Sequence, residues 1–226
     1  MAFTEAQLRQ AALACLVNAQ QLHEEAYLLY NHDAYARAAA LAVIGTEEFA
    51  KSVAFTVAAL RPDEHELLHR ALRRRDSKGG QLFDHDGKHF ICDAVEAALI
   101  ETREGLNSSS EIGASPGAEE YFIEVFRALV RDGLENLLSS RQAAKDQKHA
   151  LNAIEYGAAP STLKELALYV KVESSGAMVL PSQVPDDQAR DAILGLEYHL
   201  EQCTILSQVL EDDERWQHFA QQVLST

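Results

Sequence analysis

Hydrophobic positions recur along this chain at intervals of three and four, the period of one face of an α-helix. Thr4-x-x-Gln7 reads as a capping box with Thr4 as N-cap. Behind it Leu8, Ala12, Cys15, Ala19, Leu22, Ala26 and Leu29 hold one apolar seam to about Tyr30. Asn31-His32-Asp33 reads as a tight turn, with Asp33 placed to cap a second helix. So short a connection predicts two antiparallel neighbours. The second helix, Ala34 to Leu60, is apolar almost all the way round: Ala36, Ala40, Val43, Ala50, Ala54 and Val57 share one stripe, and Leu41, Ile44 and Phe55 fill the next. A helix without a polar face is normally enclosed by other elements. It should end ahead of Arg61-Pro62, because proline disfavours α geometry in the residue before it.

Pro62 opens a third, more polar helix to about Arg75, broken by Ser77-Lys78-Gly79-Gly80. Asp84 is placed to cap a fourth helix to about Glu104, with His85, Lys88, Cys92, Val95 and Leu99 on one face. A turn-rich loop, Asn107 to Gly117, precedes a fifth helix that buries Phe122, Val125, Phe126, Leu129 and Val130 and continues, polar, to about Ile154. After a helical Thr162 to Ala167, Leu168 to Val172 and Ala177 to Leu180 are β-like runs separated by Glu173-Ser174-Ser175-Gly176, which predicts a hairpin. Pro185-Asp186-Asp187 starts a long helix to about Glu211, and Trp216, Phe219 and Val223 mark a short final one. The pattern predicts an all-α fold, a helical bundle with a small β-hairpin near the C-terminus. It predicts a single helical domain, 1–226, with the bundle core at about 4–156 and the hairpin and C-terminal helices at about 157–226.

Composition narrows the function classes. The formal net charge of −15 argues against a general affinity for nucleic acid or anionic membrane through bulk charge, while allowing a local basic site. Cys15, Cys92 and Cys203 are far apart, odd in number and form no CxxC pair, as expected of reduced thiols in a cytosolic protein. The first residues lack a cationic segment followed by an apolar one, and no run approaches the roughly 18 apolar residues that span a bilayer. A cytoplasmic location, no membrane contact and no cofactor are the expectations.

Polar residues on apolar faces supply the candidate chemistry. Glu47 falls in line with the core positions of the second helix, and Glu48 and Lys51 lie three apart beside it. A buried carboxylate is costly unless paired. Glu47 is therefore expected within salt-bridge reach of Lys51, with His85 or Lys88 closing on Glu47 or Glu48. Two readings stay open: a structural ion-pair cluster, or a catalytic site in which a His and carboxylates work as acid and base on a phosphodiester while lysine holds the phosphate. His65-Glu66-Leu67-Leu68-His69 also matches H-E-x-x-H, which would make a zinc hydrolase, but no downstream signature supplies a third ligand. Glu66-x-x-His69 is the single Glu-x-x-His in the chain, too few for a di-iron bundle.

Asn18-Ala19, Leu22, Tyr35 with Ala38 to Ala42, Glu47-Glu48-x-x-Lys51 and His85-x-x-Lys88, in this order and spacing, resemble the AbiV-type abortive-infection proteins. Lys164-x-x-x-Leu168-Tyr169-Val170, followed by Pro181 and a helix, is similar to that family as well, so the resemblance covers roughly Leu16 to Leu200. It implies an all-α HEPN-like fold, an intracellular homodimer, and a role in phage defence in which the infected cell is shut down. A phage protein as trigger, and RNA or the translation machinery as target, are further implications. HEPN ribonucleases usually carry an Arg followed by His after four to six residues. None of the nine His here follows an Arg at that spacing; Arg61 to His69 and Arg141 to His149 each have seven residues between. If the chain is catalytic, Glu47, Glu48, Lys51, His85 and Lys88 are the expected carriers. The alternative is a non-catalytic helical interaction module, an adaptor or sequestering protein.

Overall fold

A computed structural model describes residues 3–66, 68, 85–109, 119–131, 133, 163–164, 167–169, 171–172, 178–202 and 204–225. Two helices of equal length open the fold: α1 (Glu5–Tyr30) and α2 (Tyr35–Leu60). The capping box starts α1, with the Gln7 amide donating to Thr4 Oγ1 at 3.2 Å and the Thr4 amide to Gln7 Oε1 at 3.0 Å. That satisfies two amides the first turn would otherwise leave without partners. The turn differs from expectation in one respect. Asp33 does not cap α2, whose N-cap is Ala34 with no side-chain hydrogen bond. Asp33 instead takes the left-handed backbone region at φ 59°, which an Asp tolerates better than most residues, and accepts from the Tyr35 hydroxyl at 2.7 Å.

Eighteen of the 26 residues of α2 are buried, so it is the central element. Its alanines allow close approach: α1 packs along one side, α3 (His85–Ser109) along another, and α5 (Asp186–Gln202) along a third. At Gly45 the approach is closest. A Cβ there would lie 2.4 Å from Leu196 Cδ2 on α5 and 3.4 Å from Leu22 Cβ on α1. Leu196 is fully buried and has little room to retreat. Gly45→Val should therefore cost about 1–3 kcal/mol through overpacking, read as a lower urea midpoint with an unchanged slope.

The second half of the core is aromatic. In α4 (119–131) Phe122 and Phe126 meet Phe219 of α7 (Asp213–Leu224), with ring centroids 4.9 to 5.5 Å apart. The Tyr121 hydroxyl donates to the Leu99 carbonyl at 2.8 Å, tying α4 to α3. The Arg61 guanidinium donates to the Val130 carbonyl at 3.1 Å, tying the end of α2 to α4. Between α5 and α7 lies α6 (Thr204–Glu211); the run expected from Asp186 to Glu211 is helical on both sides of residue 203, which lies outside the described residues.

The expected hairpin is not an element of this fold. Ala167 and Leu168 are helical and Tyr169 is a bend, so the first β-like run does not start at Leu168. What remains is a two-residue antiparallel pairing, Lys171–Val172 with Met178–Val179. Two residues a side offer too little pairing and too little shared apolar face to stand as a hairpin. Leu168 is instead helical with Ala167, and Leu163 and Ala167 belong to one buried cluster with Ala39, Ala40 and Val43 of α2. The fold is helical, as the rest of the pattern predicts. Asn107 to Ser109, expected in the loop that runs to Gly117, are helical; the rest of that loop, the expected third helix beyond its first turns and the polar extension beyond 133 lie outside the described residues. Among the described residues no helix is long and apolar enough to cross a membrane.

Candidate functional site

Glu47 and Glu48, adjacent in sequence, meet different neighbours because successive residues of a helix point about 100° apart. Glu47 is 4% exposed. Its Oε2 accepts from the Lys88 ammonium of α3 at 2.5 Å and its Oε1 from the Lys164 ammonium at 2.6 Å. Lys88 is 6% exposed and Lys164 8%. Each carboxylate oxygen thus holds one charge-assisted hydrogen bond in a place that water barely reaches, where such bonds are strongest and a missing partner is most costly. Beside the cluster the Cys92 thiol donates to the Thr46 carbonyl at 3.6 Å and the Thr46 hydroxyl to the Ala42 carbonyl at 3.0 Å.

Glu48 turns toward α1. It pairs with Lys51, three residues on, and its charge acts on the Cys15 thiol of α1. This second cluster is partly open, with the Lys51 side chain 27% exposed and that of Glu48 16%. Burial, with the neighbouring Glu48 carboxylate adding to it, pushes the Cys15 thiol up to about 11 from its ordinary 9.0. The thiol is therefore protonated at neutral pH and a poor nucleophile. Cys15 in the folded protein should resist iodoacetamide at pH 8 and gain reactivity as the pH rises toward 11, and Glu48→Gln should bring that onset to lower pH. Rapid alkylation of the folded chain at pH 8, read by mass spectrometry, would contradict this.

The expected site residues thus fall into two pairs: Glu47 with Lys88, and Glu48 with Lys51. The partner that Lys51 takes is Glu48, where the sequence suggests Glu47. His85 opens α3 one turn before Lys88, and its side chain lies outside the described residues. Two residues escape the sequence reading. Lys164 stands 117 positions from Glu47, too far along the chain to be considered as its partner, although it belongs to the Lys164-x-x-x-Leu168 pattern. His199 continues the apolar face of α5 after Ala189, Ile193 and Leu196, and that periodicity was its only signal. It is buried and stacks on Phe49 of α2, with centroids 5.2 Å apart and planes 15° from parallel. Its Nδ1 is sealed from solvent without a hydrogen-bond partner among the described residues. Desolvation lowers its pKa below 6.5, with Asp93 opposing, so it is neutral at pH 7.

Of the H-E-x-x-H segment, His65 and Glu66 follow the short 3-10 turn Pro62–Glu64, and His69 lies outside the described residues. Among the described residues no three His, Cys, Asp or Glu side chains are grouped as metal ligands. The family model HEPN_AbiV, described as AbiV, matches residues 7–201. No curated protein and no solved structure matches the chain.

Proposed function

Because the chain belongs to the AbiV family of HEPN proteins, which places it among abortive-infection and phage-defence proteins, we propose that it shuts down the infected cell at the level of RNA or translation by binding a component of that machinery, without cutting RNA itself. The observation that carries the binding reading is the closure of Glu47 and Lys88 on each other, both more than nine-tenths buried. A general base must reach the proton it removes, and a phosphate-binding lysine must reach the phosphate. These two groups instead spend their charge inside the bundle. The absence of an Arg-x(4–6)-His spacing supports the same reading, as does a net charge of −15, which repels a polyanionic substrate.

The test is expression of the chain in phage-infected cells, with amino-acid incorporation and total RNA followed together. Incorporation should fall while ribosomal and transfer RNA stay intact, and the variant Lys51→Ala with His85→Ala should still protect. Discrete RNA fragments that appear with growth arrest and vanish in that variant would overturn the binding reading and give Glu48, Lys51 and His85 a catalytic role. Unchanged incorporation during arrest would exclude the translation machinery as the target. Pairing of two 25.0 kDa chains and recognition of a phage protein as trigger belong to the same reading.

A further inference from the structure

One end of the bundle combines exposed apolar side chains with an excess of carboxylates. It is the end formed by the last turns of α1, the turn 31–34, the start of α2 and the segments flanking the pairing of Lys171–Val172 with Met178–Val179. Tyr30 and Tyr35 pack there against one buried cluster that includes Ala167 and Val184, which brings the segments around residues 168 and 180 to the same part of the bundle as the α1–α2 turn. Of eleven exposed large apolar residues among those described, six lie on these segments: Tyr27, Leu28, Leu168, Tyr169, Met178 and Leu180. The other five are distributed over α1, α3, α5 and α7. Tyr27, Leu28, Tyr169 and Met178 are each more than half exposed. A gathering of this kind is uncommon on a surface that covers nothing.

Charge decides what covers it. Glu24, Glu25, Asp33, Asp186 and Asp187 are exposed at this end. Against them stand Arg37, Lys171 and Arg190 among the described residues, and Arg190 Nε already lies 3.8 Å from Asp191. The local field is negative: the hydrogen bond to Asp33, with Asp33 and Asp186 acting through space, pushes the Tyr35 hydroxyl up to about 12. Nucleic acid and anionic lipid are repelled from such a surface.

We propose that this end of the bundle is a docking surface for a basic protein segment, one that alternates arginine or lysine with apolar side chains. Carboxylates give guanidinium and ammonium groups charge-assisted partners, tyrosine faces accept them by cation–π contact, and Leu28 and Met178 take the apolar residues between. This surface is separate from the Glu47 and Glu48 clusters, and the proposal does not depend on which cellular process the chain stops.

Purified full-length protein tests it by fluorescence anisotropy, with a labelled peptide of alternating arginine and leucine at ~0.15 M salt and a peptide of alternating glutamate and leucine as control. The first should bind and the second should not. The variant Tyr27→Ser, Tyr169→Ser, Met178→Ser keeps the net charge and should bind about tenfold more weakly. Glu24→Gln, Glu25→Gln, Asp187→Asn should also weaken binding and flatten its salt dependence. The same charge change made elsewhere on the surface, Glu96→Gln, Glu119→Gln, Glu211→Gln, should alter it less than about twofold. All three should keep the wild-type circular dichroism. An equal loss from the remote variant would reduce the effect to bulk charge and overturn the proposal, as would an arginine–leucine peptide that binds no better than its control. A dimer that the serine variant turns into a monomer would assign the surface to a second copy of the chain and overturn it equally.

Discussion

Glu47→Ala is expected to lower the unfolding free energy by about 3–5 kcal/mol, a large share of the roughly 5–15 kcal/mol available to a domain. The cause is what it leaves behind. Lys88 and Lys164 would both remain buried, at their present positions, with the carboxylate that takes their charge gone. Three further variants separate this from a simple loss of packing. Glu47→Gln keeps the volume and still takes the negative charge away from two buried ammonium groups, so it should be nearly as damaging as alanine. Lys88→Met, which leaves Lys164 on the carboxylate, should be less so. Replacing all three with apolar residues of similar size should recover much of the loss, because a buried ion cluster often contributes little beyond what hydrophobic residues supply in its place. Urea denaturation of the four proteins supplies the ranking. A loss below about 1 kcal/mol for Glu47→Ala, the range of surface pairs, would mean that the carboxylate meets water in solution, and would return it to the list of groups able to act on a substrate.

Trp216→Ala should cost a similar amount, about 3–5 kcal/mol, at the end of the bundle where α1 begins. The ring is buried among Phe219 and the N-terminal half of α1. Its Nε1 donates to Glu5 Oε1 at 2.6 Å, and the Arg9 guanidinium lies 5.0 Å from its centroid. Arg9 is itself mostly buried and donates to the Leu210 carbonyl at 3.1 Å and to Asp213 at 2.7 Å. Alanine at position 216 thus opens a cavity and also removes the surface on which Arg9 rests. Arg9→Ala should be the milder change, and Asp213→Asn should change little, since that carboxylate is nine-tenths exposed and water replaces the arginine. A thermal-melt series in which Asp213→Asn equals Trp216→Ala would show that the ion pair, and not the aromatic contact, fastens α7 to α1.

The division between what the sequence determined and what needed coordinates follows the range of the forces. Local chemistry fixed the starts and stops of the long helices. Thr4 and Gln7 close a capping box on themselves, and proline at 62 ends α2 through its immediate neighbour. The apolar stripe of α2 made it the centre of the bundle, because nothing but other elements can cover a helix without a polar face. The same stripe made Glu47 conspicuous and required a cation for it, and the apolar face of α3 pointed to Lys88. Where local preference met tertiary packing, packing won. Leu168 and Tyr169 have the composition of a strand, yet Leu168 is helical beside Ala167, which with Leu163 joins the buried cluster of Ala39 and Ala40, and the β-like run is left with a two-residue pairing. Asp33 has the chemistry of a cap, but the turn needs a left-handed residue at that point and its carboxylate goes to Tyr35. The partners of buried charges were the least legible feature of all. Glu47 takes a second lysine from 117 residues away, and Lys51 belongs to Glu48 on another side of α2. A sequence shows that a buried charge must be compensated, since that follows from the cost of desolvation at one position. Which residue compensates it depends on where distant segments cross, and only the tertiary structure brings Lys164 and Glu47 to 2.6 Å.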